Sequence, residues 1–133
     1  MEAHHTLLVV DDDMDIRDAL QDVLELEGYA VQLAADGLEA LERLRSSEPR
    51  PQLILLDLMM PRMDGVTFCE ALRHERACSD IPVLVASADL DVRETVDGMD
   101  VAGYLRKPLD LSALLSTVKR LCLPSDGLVH AEA

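Results

Sequence analysis

Four consecutive aliphatic residues at positions 53–56, Leu-Ile-Leu-Leu, are followed at once by an acid, Asp57. The run does not alternate between apolar and polar residues, which indicates a strand buried on both faces, as in a parallel sheet covered by helices. Asp57 would then lie at the carboxyl end of that strand. In open α/β sheets this is the edge at which ligands bind. We therefore expect a pocket around Asp57.

A second aliphatic run, at residues 7–10, also ends in acids: Asp11, Asp12 and Asp13. One of the acids that follow this run, Asp13 or Asp15, should cap the next helix. Three further strand patterns occur at residues 29–34, 81–86 and 101–106, and the first of these is the weaker one.

The segments between the predicted strands carry apolar residues at helical spacing. In the second helix, at residues 37–47, the apolar side is formed by Leu38, Leu41 and Leu44. In the third, at residues 65–76, we expect Val66, Cys69 or Phe68, and Leu72 to be buried. The core side of the last helix should be formed by Leu111, Leu114, Leu115, Val118 and Leu121. Gly98 is a poor helix residue, so we expect the fourth helix to be either abbreviated or mobile. Five β-then-α units in 133 residues predict one α/β domain, with a doubly wound parallel sheet and helices on both faces. We expect this domain over residues 1–123 and a flexible tail over 124–133.

The composition disfavours several classes of partner. A net charge of −14 argues against direct binding to nucleic acid or to an anionic membrane, because phosphate binding depends on clustered Lys and Arg. No apolar run approaches the ~20 residues of a membrane span. The three cysteines are an odd number without a ligand-like spacing, which favours reduced thiols in a cytoplasmic protein.

Four of the five predicted strands end in a polar or charged side chain, and in a doubly wound sheet these ends share one edge. The residues are Asp11 with Asp12, Asp57, Ser87 and Lys107. Two carboxylates about 5 Å apart repel by about 3 kcal/mol at an effective dielectric near ~20, so this cluster should take up protons or bind a hard cation. An all-oxygen, carboxylate-rich site suits Mg²⁺. A carboxylate can also attack phosphorus, with the metal and an ammonium neutralising the transferring oxygens.

Five short motifs occur in order along the chain: VVDDD at residues 9–13, LLD at 55–57, MPRMDG at 60–65, SA at 87–88 and GYLRKP at 103–108. Together they resemble the receiver domain of two-component response regulators, the family that includes the chemotaxis regulator. The resemblance spans nearly the whole chain. It implies the flavodoxin-like receiver fold, a five-stranded parallel sheet with strand order 2-1-3-4-5.

The resemblance also implies a reaction and a metal site. Asp57 would accept a phosphoryl group from a phosphohistidine on a sensor histidine kinase or a histidine phosphotransfer protein. Mg²⁺ would be bound by Asp12, Asp57 and the backbone carbonyl of Met59, with Asp11 helping through water. Such a domain is a signalling module and not an enzyme, although it assists its own phosphotransfer and autodephosphorylation.

The remaining roles that the resemblance implies belong to signal output. Lys107 would pair with the phosphoryl group, Ser87 would hydrogen-bond to it, and Tyr104 would turn inward as Ser87 moves. The Lys107–Pro108 peptide would be cis. The signal would leave through a downstream effector protein or through an output domain outside this chain.

Other interpretations of these residues stay open. Tyr104 fits equally well as core filler with its hydroxyl at the surface. A haloacid-dehalogenase-type phosphatase also uses an aspartyl-phosphate and Mg²⁺, but that family has a second acid two residues after the nucleophile, where Met59 stands. A pseudo-receiver that only binds partners usually lacks an acid or the lysine, and here all are present. A nucleotide site is disfavoured because the chain has no glycine-rich phosphate loop.

Overall fold

The computed structural model describes residues 5–46, 50–58, 65–75, 80–88, 92–97 and 101–122. Within these ranges five strands alternate with five helices. The strands are β1 (Thr6–Val10), β2 (Ala30–Ala34), β3 (Leu53–Asp57), β4 (Val83–Ser87) and β5 (Gly103–Arg106). The helices are α1 (Met14–Leu26), α2 (Gly37–Ser46), α3 (Gly65–Arg73), α4 (Val92–Asp97) and α5 (Leu111–Leu121).

The strands form one parallel sheet in the order β2-β1-β3-β4-β5. The predicted fold class and strand order are therefore confirmed. The two strands read from the longest aliphatic runs, β1 and β3, are neighbours near the middle of the sheet, and every residue of both is buried. Strand β2, with its polar Gln32, lies at one edge.

Each central strand contributes to a separate core on each face of the sheet, because successive side chains of a strand point to opposite faces. In β3, Ile54 and Leu56 belong to one core together with Phe68 of α3. Leu53 and Leu55 belong to the other core. This double burial explains why the strand sequence shows no apolar–polar alternation.

Helix boundaries follow local capping chemistry. The Asp13 carboxylate accepts hydrogen bonds from the backbone N–H groups of Asp15 (2.9 Å) and Ile16 (3.3 Å), so Asp13 is the N-cap of α1. At the other end, Gly28 has a φ of +96°, a conformation that glycine adopts without steric cost. Helix α4 is described over Val92–Asp97, and Gly98, which was predicted to affect this helix, lies outside the described residues.

Three predicted core positions, each near the start of a helix, are wrong. Leu38 in α2, Val66 in α3 and Leu111 in α5 are 39%, 36% and 49% exposed. The other predicted positions of α2 and α3 are confirmed as buried. These are Leu41 and Leu44 in α2, and Phe68, Cys69 and Leu72 in α3.

Two of the three cysteines lie in the described part of the chain. Cys69 and Cys122 are both buried and form no disulfide there, and Cys78 lies outside the described residues. Burial raises the pKa of the Cys122 thiol to about 11. None of the helices in the described ranges has the length and apolar content needed to cross a membrane.

Candidate functional site

Three carboxylates meet at the carboxyl end of the two central strands. Because β1 and β3 pair in parallel with Val10 opposite Leu56, Asp11 and Asp57 extend from adjacent points of the same edge. Oxygen atoms of Asp11, Asp12 and Asp57 all lie within 4.8 Å of one another. Asp11 and Asp57 are buried and Asp12 is exposed, so the cluster opens to solvent on one side.

Lys107 reaches this cluster from β5, two strands away from β3. Its backbone N–H donates to the Ser87 carbonyl at 2.8 Å, which ties the residue to the end of β4. Its Nζ donates to Asp11 Oδ2 at 2.9 Å and lies 3.5 Å from Asp57 Oδ2. The Lys107–Pro108 peptide is cis, as the family resemblance implied.

The electrostatics of Lys107 reflect two opposing effects. Burial of the ammonium alone would lower its pKa, but the hydrogen bond to Asp11 and the negative charge of Asp57 raise it. The net result is a Lys107 pKa above its ordinary value. The side chain is therefore a fixed cation beside the acids across the physiological pH range.

The two oxygens of Asp11 are both engaged. Oδ1 accepts a hydrogen bond from the Asp13 backbone N–H at 3.0 Å, and Oδ2 accepts one from Lys107. The Asp13 carboxylate caps α1, so its role is structural and differs from that of the three clustered acids.

Ser87 and Tyr104 occupy neighbouring strands near this edge. Ser87 is the last residue of β4 and is fully buried, and the preceding residue, Ala86, pairs with Asp57. Tyr104 lies in the edge strand β5, pairs with Val85 and is 37% exposed. Met59, the source of the predicted carbonyl ligand, lies outside the described residues.

The donor set fits Mg²⁺. It consists of hard carboxylate oxygens close enough to share one small cation, with one exposed side where the ion would keep its waters. The mutual repulsion of the three acids also favours a dication over an empty cluster.

Two contacts at this site were not anticipated from the sequence. One is the direct hydrogen bond between Lys107 and Asp11, since Lys107 was expected to pair with the phosphoryl group. The other is a hydrogen bond from Arg17 Nη1 to the Asp11 carbonyl at 2.7 Å. The helical spacing of α1 placed Arg17 near the first turn but carried no signal for this contact.

A family model described as the response regulator receiver domain matches residues 7–119. The chain belongs to this family. It is a receiver domain of a response regulator, the class of protein that operates in two-component signalling.

Curated relatives and solved structures agree with this assignment. Response regulator MprA of Mycolicibacterium vanbaalenii is 43% identical over 132 residues, which cover 96% of this chain and 55% of the relative. MprA of Mycobacterium ulcerans is 44% identical over 117 residues, covering 86% of this chain and 49% of the relative. The chain therefore spans about half the length of the curated relatives it matches.

Among solved structures, the chemotaxis protein CheY4 of Vibrio cholerae superposes with a TM-score of 0.81 at 31% identity, covering 90% of this chain and 99% of that one. A putative response regulator of Chloroflexus aurantiacus gives a TM-score of 0.82 at 32% identity, covering 90% of this chain and 98% of that one. Both resemblances extend over essentially the whole receiver fold.

Proposed function

We propose that this receiver domain takes a phosphoryl group onto Asp57 from the phosphohistidine of a sensor histidine kinase or a histidine phosphotransfer protein. The observation that carries the proposal is the convergence of three acids and one lysine: carboxylate oxygens within 4.8 Å of one another, and Lys107 Nζ at 2.9 Å from Asp11 and 3.5 Å from Asp57. A pseudo-receiver would not need this arrangement.

The chemistry is a displacement at phosphorus. A carboxylate oxygen of Asp57 forms the new O–P bond while the P–N bond to the donor imidazole breaks, and the imidazole leaves with the bonding electron pair and gains a proton. Lys107 is close enough to turn its ammonium from Asp11 toward the phosphoryl oxygens. Hydrolysis of the acyl phosphate by water would later return the domain to its starting state.

Asp12 and Asp57 are the proposed direct ligands of Mg²⁺, with Asp11 acting through a water molecule and the Met59 carbonyl as a further ligand. The engagement of both Asp11 oxygens by Asp13 and Lys107 supports the water-mediated role for Asp11. Bound Mg²⁺ would supply charge neutralisation for the transferring phosphoryl oxygens.

Ser87 and Tyr104 are the proposed switch. The phosphoryl group adds about −1.5 to −2 charges at Asp57, which would draw the Ser87 hydroxyl and the Lys107 ammonium toward it. Tyr104, half-exposed on β5, would then turn inward and change the outer surface of that edge strand. The altered surface would contact a downstream effector protein or an output domain outside this chain.

A protein donor is supported by the surface next to the site. An apolar cavity of about 450 Å³ lies between α1 and the segment after β5. Lys107 and Pro108 form one side of it, and Ile16, Ala19 and Leu20 of α1 form the other. Lys107, a side chain of the proposed phosphoryl site, thus borders an apolar surface. A partner protein could pack against this surface, whereas a small phosphate donor would not need it.

The test is intact-mass measurement after incubation with acetyl phosphate. With Mg²⁺ the protein should gain the mass of one phosphoryl group, and with excess chelator it should gain almost none, because the repulsion between the donor and the clustered acids is then uncompensated. Equal labelling in Mg²⁺ and in chelator would contradict a metal-assisted transfer. Absence of labelling by acetyl phosphate and by a phosphorylated histidine phosphotransfer protein would favour the pseudo-receiver.

Mg²⁺ should stabilise the unphosphorylated domain, since it relieves the repulsion among Asp11, Asp12 and Asp57. At about ten times the dissociation constant, the gain is about 1.4 kcal/mol in the free energy of unfolding, or roughly 5 °C in melting temperature. Asp12→Ala should lose most of this shift. Lys107→Ala is the matched control, and it should show at least the wild-type shift, because Lys107 offers no ligand atom and its ammonium repels the ion.

Thermal melts in Mg²⁺ and in chelator measure these shifts directly. If wild type and Asp12→Ala respond equally to Mg²⁺, the metal binds elsewhere.

A further inference from the structure

Arg17 connects α1 to the acidic end of β1 in two ways. It lies in the first turn after the Asp13 cap, and its backbone N–H donates to the Asp13 carbonyl at 3.0 Å. Its side chain reaches back in the opposite direction, where Nη1 donates to the Asp11 carbonyl at 2.7 Å in a partly buried position. A hydrogen bond with a charged donor at this distance is among the stronger kinds in proteins.

The carbonyl that Arg17 binds belongs to the peptide group joining Asp11 to Asp12. A peptide group is planar, so fixing the direction of its carbonyl also fixes the direction in which the backbone of Asp12 leaves. Asp11 is held at its other polar atoms as well. Its N–H donates to the Ala34 carbonyl at 3.1 Å, and its carboxylate accepts from Asp13 and Lys107.

Asp12 has no comparable support of its own. Asp12 is exposed, and within the described part of the chain its carboxylate accepts no hydrogen bond. Asp11, by contrast, is held by four hydrogen bonds. The position of the Asp12 carboxylate within 4.8 Å of that of Asp57 therefore depends on the backbone conformation at Asp11 and Asp12. The Arg17 side chain is hydrogen-bonded to this backbone at the Asp11 carbonyl.

We propose that Arg17 is a positioning residue for the metal site, which orients Asp12 toward Asp57 by holding the Asp11 carbonyl. The inference rests on the proposed Mg²⁺ site. It adds a residue that touches neither the metal nor the phosphoryl group and acts only through the backbone of Asp11 and Asp12.

The positive charge of Arg17 and its hydrogen bond to the backbone predict opposite effects on Mg²⁺ affinity when Arg17 is replaced. If Arg17 acted only as a nearby cation, it would repel Mg²⁺, and its removal would tighten Mg²⁺ binding. If Arg17 holds Asp12 in place, its removal weakens binding in spite of the lost positive charge. A purely structural role would lower the melting temperature in chelator and leave the Mg²⁺ dissociation constant of the folded protein unchanged.

The experiment is an Mg²⁺ titration of wild type and Arg17→Met, followed by amide NMR shifts well below the melting temperature. Methionine keeps helix propensity and an apolar stem but removes the donor and the charge. We expect the dissociation constant to rise about threefold to tenfold, the range expected for one lost hydrogen bond. In chelator, the backbone amides of Asp12 and Asp13 should also exchange faster than in wild type.

Arg17→Lys is the second variant, in case Arg17→Met does not fold. It keeps the charge but lacks the planar guanidinium, and it should also weaken Mg²⁺ binding. Arg45→Met is the matched control, since Arg45 on α2 is hydrogen-bonded to Glu75 (2.7 Å), and it should bind Mg²⁺ as wild type does. Unchanged or tighter binding in the Arg17 variants would overturn the inference.

Failure of the underlying site gives a different result. If wild type shows no saturable Mg²⁺ shifts around Asp57, or if Asp12→Ala retains them, the proposed metal site is wrong whatever Arg17 does. If wild type binds and Asp12→Ala does not, while Arg17→Met equals wild type, only the role of Arg17 is rejected.

Discussion

Asp57→Asn should abolish phosphorylation, leaving the intact mass unchanged under conditions in which wild type gains one phosphoryl group. The amide of asparagine lacks the charged oxygen that attacks phosphorus, and its neighbours cannot replace it. Asp11 is occupied by Asp13 and Lys107, and Asp12 is exposed at the rim of the cluster. The variant should fold, because asparagine has the shape of aspartate and the change removes one of three mutually repelling charges.

Asp13→Asn is the matched control for this experiment. It makes the same chemical change two residues beyond Asp11, at a carboxylate that caps α1. Asparagine caps helices about as well as aspartate, so both the fold and the labelling should be retained. Stoichiometric labelling of Asp57→Asn, or loss of labelling in Asp13→Asn, would mean that the phosphorylated residue has been misassigned.

The topology was predictable because it depends on a coarse pattern. Unbroken aliphatic runs at residues 7–10 and 53–56 demand burial on both faces, and only the interior of a helix-covered parallel sheet provides it. Once these two strands are central and adjacent, the acids that follow them must share an edge. The convergence of Asp11, Asp12 and Asp57 is thus a consequence of strand type and chain direction.

The pairing within the site was not predictable in the same way. Lys107 and Asp11 are 96 residues apart, and which carboxylate the ammonium approaches depends on side-chain reach across β3 and β4. The sequence indicated only that a lysine would stand near several acids. The contact of Arg17 with the Asp11 carbonyl is even harder to predict from the sequence. Every residue has a backbone carbonyl, so the residue type at position 11 does not indicate that its carbonyl will accept this hydrogen bond.

The wrong core positions also have a physical cause. Leu38 and Val66 are each the second residue of a helix, and Leu111 is the first residue of α5, so all three lie at a helix end where the side chain stays exposed. Helices α2 and α3 contain 10 and 9 residues, so a short periodic pattern fits more than one rotation of the helix. In the folded domain, packing against the sheet fixes the rotation in which the residues after the first turn are buried.

Gly65→Ala should destabilise the domain and weaken its binding of Mg²⁺. A Cβ at Gly65 would lie 2.6 Å from Leu58 Cδ2 and 2.8 Å from Leu58 Cα, and 3.2 Å from the Asp57 carbonyl oxygen. A side-chain atom can move aside, but the backbone of Leu58 can move only by shifting the end of β3. We expect a loss of about 2 kcal/mol in the free energy of unfolding, or roughly 8 °C in melting temperature.

The effect on the metal site separates this variant from ordinary overpacking. Leu58 directly follows Asp57, and the Gly65 N–H donates to the Leu58 carbonyl at 3.0 Å, so a displacement of this backbone would also move Asp57, the proposed phosphoacceptor. Gly103→Ala is the control, because its Cβ would meet only Leu84 Cδ1 at 3.6 Å, an ordinary contact. Chemical denaturation and Mg²⁺ titration of both variants measure the two effects. A Gly65→Ala protein as stable as Gly103→Ala, with wild-type affinity for Mg²⁺, would show that the start of α3 can move away from Leu58 without disturbing Asp57.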